Sequence, residues 1–261
     1  MPYFPQWEVA DLRYERQLLI PQIGQEGQEK LEKAKVTVIG AGGLGSPVLT
    51  YLVSAGVGKI QIVDCDVVSE SNLNRQFLHH TGDVGRPKVL SAQEKLVSLN
   101  PDVALSTVNK RLNQENIEEC IIGSDVVVDC VDNIETRVMV ASACIQLNIP
   151  LVEGGVLGFY GYVIDIGRDY PCLSCLGYDK AKQKTPVPVL GVTAGVIGCM
   201  QANECIKLLL GIGEPLYGRM LNYDGLSGTW EEVKVEKAKN CAVHKNAETG
   251  KNGEFYWNGG K

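Results

Sequence analysis

The chain has 261 residues and a net charge of −6, with 44% hydrophobic and 21% charged residues. That balance belongs to an ordinary globular protein and argues against the broad basic surface that nucleic acid binding needs. No run approaches the roughly 18 apolar residues of a membrane span. The opening MPYFPQWEVADLRYERQ has no signal-peptide pattern, so a cytoplasmic location is expected. Nine cysteines in such a compartment point to thiols or metal ligands rather than disulfides.

In chain order, residues 11–33 carry an amphipathic, charged helical pattern. KVTVIG (35–40) reads as a buried strand, GLGSPVLTYLVSAG (43–56) as a helix closed by Gly56, and KIQIVDCD (59–66) as a second strand. PKVLSAQEKLVSLN (87–100) is a helix with Pro87 in its first turn. ALSTVN (104–109) is a strand and NQENIEECII (113–122) a short helix. DVVVDCVDN (125–133) is a strongly buried strand, followed by a helix over 135–147 and the strand IPLVEGGV (149–156). Strands alternating with helices imply α/β architecture, with a mostly parallel sheet covered on both faces.

The pattern changes after residue 156. FYGYVIDI (159–166) alternates, as an antiparallel strand does. The polar, Pro-containing DKAKQKTPVPVLG (179–191) is a loop, and VTAGVIGCMQANECIKLLLG (192–211) a long apolar helix. GRMLNYD (218–224) and TWEEVKVE (229–236) pair as a hairpin around GLSG, adding antiparallel strands in the C-terminal third. Residues 1–236 are expected to form one domain. Residues 237–261 are polar and Gly-rich, a tail expected to be loosely ordered. Cys65, Cys130, Cys144, Cys199 and Cys205 lie in apolar segments and are expected to be buried as small hydrophobes.

The chemistry concentrates around VTVIGAGGLG, where Gly40, Gly42 and Gly45 form G-x-G-x-x-G between a strand and a helix. The glycines permit a tight turn and close approach to phosphate, and the helix N-terminus adds N–H donors. Asp64, at the end of the next strand, suits a ribose hydroxyl. Alone this motif is compatible with any adenine nucleotide, with NAD as the default. The following stretches are rich in polar and cationic groups: Asn72, Arg75 and Gln76 in SESNLNRQF, Arg86 and Lys88 in VGRPKV, Arg13 and Arg16 in RYERQ. Each cation singly is explained as solvated surface charge. As a set they suit a triphosphate whose pyrophosphate must leave, which hydride transfer does not require. Asp129 and Asp132 could simply cap a strand end. Strand C-termini are nevertheless where open parallel sheets bind ligands, and Asp132 is well placed for Mg2+.

Taken together, RYERQ with GQEGQEKL, VIGAGGLGSPV, YLVSAGVGKIQIVDCDVVSESNLNRQFL, VGRPKV, VVVDCVDN with TR, and PCLSC resemble the MoeB/ThiF/HesA-type adenylyltransferases that activate ubiquitin-like sulfur carriers. The match runs in order from about residue 11 to 235. The resemblance implies a Rossmann-like ATP site and a homodimer. It places Gly43 and its neighbours, with Asp66 and Ser71, at the nucleotide. Asp64 would hold the ribose, and Asn72, Arg75 and Lys88 the phosphates. Asp132 would bind Mg2+, Asn133 would lie near the adenosine, and Arg16 would reach the partner subunit's ATP. The implied substrate is a small carrier protein ending in Gly-Gly, with sulfur supplied by a donor protein. Activation of another carboxylate, such as the threonylcarbamoyl group on tRNA, and a non-catalytic carrier-binding module are the competing readings.

Two departures stand out. Many members of the family carry a cysteine in the loop before the long helix. Here LGYDKAKQKTPVPVLGVTAG has none between Cys175 and Cys199, so a covalent thioester or persulfide on this loop is not expected. The second paired motif near the C-terminus reads Cys241-Ala-Val-His244 rather than Cys-x-x-Cys. With Cys172 and Cys175 it offers a Cys3His set for a structural zinc. A three-ligand or empty site is the alternative. The closing YWNGGK is read as a floppy tail, not as a substrate terminus.

Overall fold

The computed structural model describes residues 9–181 and 186–249. The helical pattern over 11–33 is divided into a 3-10 segment (Val9–Tyr14), the single-turn α1 (Glu15–Leu18) and α2 (Gly24–Lys33). Pro21 lies in the break, where its missing N–H and ring disfavour a continuous helix. β1 (Lys35–Ile39), α3 (Gly45–Ser54), β2 (Lys59–Val63), α4 (Lys88–Leu99) and β3 (Ala104–Val108) follow as predicted. So do α5 (Ile117–Ile121), β4 (Val126–Asp129), α6 (Ile134–Leu147) and β5 (Leu151–Leu157). The last third contains β6 (Tyr160–Ile166), α7 (Gly191–Leu210), β7 (Arg219–Asp224), β8 (Thr229–Lys234) and α8 (Ala242–Thr249). The last of these corrects the expected loose tail: residues 242–249 are helical, and YWNGGK lies outside the described residues.

The strands form one eight-stranded sheet in the order β3-β2-β1-β4-β5-β6-β7-β8. The first five are parallel, and β5 through β8 pair antiparallel. Alternation along the buried strands feeds two cores. Val36 and Val38 of β1 face a core with α3, α4 and α7, whereas Ile39 joins the one built by α5, α6 and α8. Leu49, Leu52 and Leu96 are fully buried in the first core, each contributing about 2 kcal/mol. The strand order reverses between β1 and β4, so a crevice opens at their C-terminal ends. Open α/β sheets bind ligands there. Among the described residues no helix is long and apolar enough to cross a membrane.

One buried acid makes the fold's stability depend on pH. Asp165 of β6 is fully buried; its Oδ2 accepts the N–H of Leu216 at 2.7 Å, and Oδ1 has no partner. Burial, with Glu204 of α7 adding to it, pushes the Asp165 carboxyl up to about 7. A raised folded-state value means that the folded chain holds a proton the unfolded chain has released between about pH 4 and pH 7. Stability therefore falls as pH rises through that window, by on the order of a few kcal/mol. Asp165→Asn retains an oxygen for Leu216 and loses the titration. The expected result is a melting temperature that declines from pH 5 to pH 8 more steeply in the parent than in the variant.

Candidate nucleotide and metal sites

The glycine loop is shaped by backbone contact. Gly40 follows β1 with φ +101°, and a Cβ there would lie 2.7 Å from the carbonyl oxygen of Cys130. A Cβ on Gly45 would collide with the carbonyl of Gly40. Only glycine lets the loop turn this tightly against the end of β4 while α3 starts beside it. Gly42 and Gly43 stay partly accessible and are backed by the side chains of Gln76 and Arg75. Asp64, just past β2, accepts from the N–H of Ala41 in the loop and from the N–H of Asp66, both at 2.8 Å. Its remaining lone pairs suit a pair of ribose hydroxyls.

The segment after β2 closes one side of the crevice. Ser69 caps a 3-10 turn (Glu70–Asn72), its N–H bonding Asn72 Oδ1 at 3.1 Å and its hydroxyl meeting that of Ser71 at 2.9 Å. Arg75 folds back on this turn, donating to the Ser71 carbonyl at 2.9 Å and to Asn74 at 3.1 Å. Its stem lies beside Gly43. Lys88 begins α4 and is 94% buried, with Nζ donating to Asp66 at 3.0 Å. Across the crevice Asp132 is exposed, while Asn133 caps α6 through its side-chain oxygen, which accepts from Thr136 N–H at 2.9 Å. Asn133 thus caps the helix, while Asp129 caps the end of β4, as the capping reading of that residue expects. Asp129 is fully buried and accepts from the N–H of Val131.

Three cations of the predicted set stand elsewhere. Arg86 is committed to Asp83 at 2.8 Å and Glu94 at 2.6 Å. Arg13 donates to the carbonyl of Leu99 at 2.9 Å, where α4 ends. Arg16 is exposed on α1, next to Gln17, whose side chain donates to the carbonyl of Ala55. Ala55 closes α3 at the end opposite the glycine loop, and a ten-residue helix is about 15 Å long. Arg13 and Arg16 thus do not converge on the glycine loop of their own chain.

Sequence patterns also missed a buried support for that loop. His79 places one ring nitrogen 2.9 Å from the carbonyl of Ala41 and the other 2.9 Å from the Ser91 hydroxyl. Burial lowers its pKa, opposed by the bond to Ala41, so the neutral imidazole is the form that braces the loop. An isolated histidine between Leu78 and His80 offers no periodic signal.

Two of the cysteine expectations need correction. Cys65 is exposed, because its neighbours Asp64 and Asp66 keep the segment at the surface. Cys199 is only half-buried and lines an open groove of about 730 Å³ with Arg75, Val192 and Trp230. Burial raises the Cys199 pKa, which makes it a poor nucleophile.

Cys172, Cys175, Cys241 and His244 do come together, with all ligand atoms within 4.8 Å of one another. Cys172 Sγ lies 3.7 Å from Cys175 Sγ and 3.6 Å from Cys241 Sγ. Nδ1 of His244 lies 3.9 Å from Cys172 and 3.7 Å from Cys175. Sulfurs on a tetrahedral zinc, each at about 2.3 Å, are about 3.8 Å apart. The donor set therefore fits zinc without rearrangement. His244 Nε2–H donates to the carbonyl of Tyr170 at 2.9 Å, which fixes the tautomer with Nδ1 free to ligate. The hydrogen bond from Cys172 lowers the Cys241 thiol below its usual range, which favours the thiolate that a metal needs. Four protein donors leave no open position for catalysis.

Comparison with known proteins agrees with this geometry. The family model described as "ThiF family" matches residues 14–243. The chain is 44% identical over 250 residues to the sulfur carrier protein adenylyltransferase of Thermus thermophilus, covering 91% of this chain and 92% of that one. It is also 44% identical over 237 residues to the SAMP-activating enzyme E1 of Haloferax volcanii, covering 88% and 87%. Among solved structures, Escherichia coli MccB crystallised with SeMet MccA superposes with a TM-score of 0.81 at 21% identity, covering 92% of this chain and 76% of MccB. That likeness concerns the fold. The identities over nearly the whole chain, the glycine loop at the switch point and the family match lead to one conclusion: the chain belongs to the ThiF family.

Proposed function

We propose that this chain is an ATP-dependent adenylyltransferase for a ubiquitin-like sulfur-carrier protein ending in Gly-Gly. The observation that carries the reading is the arrangement at the β1/β4 switch point. A glycine loop with positive φ at Gly40 is flanked by Arg75 on one side, and the end of β4 that leads to Asp132 packs against it. Named relatives supply the substrate class.

The C-terminal glycine carboxylate of the carrier attacks the α-phosphorus of ATP. A new acyl–O–P bond forms, the bond to the β-phosphate oxygen breaks, and pyrophosphate departs. No general base is required, because a terminal carboxylate with pKa about 3.5 is ionised at neutral pH. The obstacle is repulsion between two anions. Gly40, Gly42, Gly43 and Gly45 let backbone N–H groups face the phosphates. Arg75, Lys88 and Asn72 offset the charge that builds at phosphorus and on the leaving group. Asp64, with Asp66 and Ser71 beside it, orients the ribose, and Asn133 borders the adenosine. Asp132 would hold Mg2+, which when bound neutralises phosphate charge and polarises the phosphoryl oxygens. Arg16 serves the nucleotide of a second subunit in a homodimer, as expected of a side chain far from its own glycine loop.

Cys172, Cys175, Cys241 and His244 hold a structural zinc that pins residues 237–249 to the body formed by residues 1–236. No crossover-loop cysteine lies between Cys175 and Cys199, so sulfur comes from a separate donor protein in the cytoplasm. The test is exchange of labelled pyrophosphate into ATP, with and without a Gly-Gly-ended carrier. Exchange that requires both Mg2+ and the carrier is expected. Tight NADH binding with no response to Mg-ATP would replace this reading with an oxidoreductase.

A further inference from the structure

One buried charged cluster lies directly beneath the loop that carries Asp132. β4 and β5 are parallel neighbours, and their register sets Asp129 opposite Glu153. Both are fully buried, and Arg137 of α6 is 93% buried. Arg137 Nη1 donates to Glu153 Oε1 and, at 2.5 Å, to the carbonyl of Gly154. Its Nη2 donates to the carbonyl of Val131 at 2.5 Å. The N–H of the same Val131 donates to Asp129 Oδ1 at 2.9 Å. Val131 is thus gripped on both sides, and the next residue is Asp132. The other end of this loop also has no slack, because Cys130 packs on Gly40 and Gln201 donates to the carbonyl of Asp129 at 2.6 Å.

Two oxygens remain. Asp129 Oδ2 and Glu153 Oε2 are buried without a hydrogen-bond donor. Tyr162 donates at 3.1 Å to the other Glu153 oxygen, Oε1. Two ionised carboxylates facing each other inside the sheet would repel, with a single guanidinium to offset them. One proton between the two remaining oxygens satisfies both and brings the cluster to zero net charge. Burial pushes the Glu153 carboxyl up; Arg137 opposes this and Asp129 reinforces it.

We propose that Arg137 is a positioning residue for Asp132, and that Asp129 and Glu153 share one proton, which leaves a singly charged acid pair balanced by Arg137. The first half rests on the reading of Asp132 as the Mg2+ ligand, so the experiment tests that reading separately. Mn2+ binding to the full chain with α,β-methylene-ATP is followed by electron paramagnetic resonance. Nucleotide binding without metal is measured alongside. Lysine keeps the charge of Arg137 but lacks the fork that spans two carbonyls. Arg137→Lys is therefore expected to weaken Mn2+ binding about tenfold while metal-free nucleotide affinity stays unchanged. A merely structural role would move both or neither, and either outcome overturns the positioning role. Asp132→Asn in the same assay isolates the premise: parent-like Mn2+ affinity would remove the metal assignment itself.

The shared proton is tested without nucleotide. Glutamine at 153 can place its N–H2 toward Asp129 and its oxygen toward Arg137, so Glu153→Gln should melt within about 3 °C of the parent. The double variant Asp129→Asn/Glu153→Gln strands the guanidinium and should melt more than about 10 °C lower or fail to fold. At pH 8 an infrared difference spectrum, parent minus Glu153→Gln, should show a protonated-carboxyl C=O band. Absence of that band, or a Glu153→Gln chain melting more than about 10 °C above the parent through relief of repulsion, would overturn the shared proton.

Discussion

Replacing Arg75 with alanine is expected to lower carrier-dependent pyrophosphate exchange by about two to three orders of magnitude, with little change in melting temperature. The small stability effect follows from its local contacts. Among the described residues the guanidinium bonds the Ser71 carbonyl and Asn74 in its own turn, and the side chain is partly buried. The large effect on rate follows from position, because its stem lies against Gly43 where phosphate charge must be offset. Lysine at this position should recover only part of the rate, since it supplies charge without a planar fork. Asp132→Ala should cost as much and should flatten the Mg2+ dependence of the residual activity. Exchange at the parent rate in either alanine variant would remove that residue from the site.

The second large effect concerns the metal clamp. Analysis of the purified chain should find about one zinc per molecule. Chelation, or Cys172→Ser, is expected to release it and to lower the melting temperature by on the order of 10 °C. The loss should be local, because the clamp ties α8 to the Cys172–Cys175 turn and to the core beside α6. Amide exchange should rise first in residues 242–249. His244→Ala should lose the metal, whereas His244→Cys should keep it as a tetrathiolate site. A His244→Ala protein with full zinc content and an unchanged melting temperature would remove the histidine from the clamp.

How far sequence reached depended on whether the determining contacts were local. β1, β2 and β4 were legible because runs such as KVTVI and VVVD are apolar on both faces, as central parallel strands must be. The glycine loop was legible because its demands are steric and fall on consecutive residues. The division of the helical pattern at 11–33 was marked by Pro21. α8 was not identified. Its helical stripe is short: Val243, His244 and Ala247 pack inward, next to Cys241 just before the helix. Much of its anchoring comes from residues some 70 positions earlier. Exposure of Cys65 was signalled by the aspartates on either side of it. Arg137, Glu153 and His79 had no sequence signature. The roles of Arg137 and Glu153 emerge only when β4 and β5 pair, and that of His79 only when α4 packs beside the loop after β1.

The positions of Arg13 and Arg16 sharpen the account of the site. Tyr14 and Gln17 tie α1 to the C-terminal end of α3 and its neighbour, through bonds to Asn100 and Ala55. Under the proposed homodimer, Arg16→Ala subunits mixed with Asp132→Ala subunits should recover part of the exchange rate.

The most direct measurement is the intact mass of a Gly-Gly-ended carrier after incubation with this protein and Mg-ATP. The expected result is a carrier heavier by one adenylyl group, formed with release of pyrophosphate and reversed when pyrophosphate is added. A carrier truncated before its final glycine should stay unmodified. An unmodified full-length carrier, with ATP bound and the protein folded, would contradict the proposal.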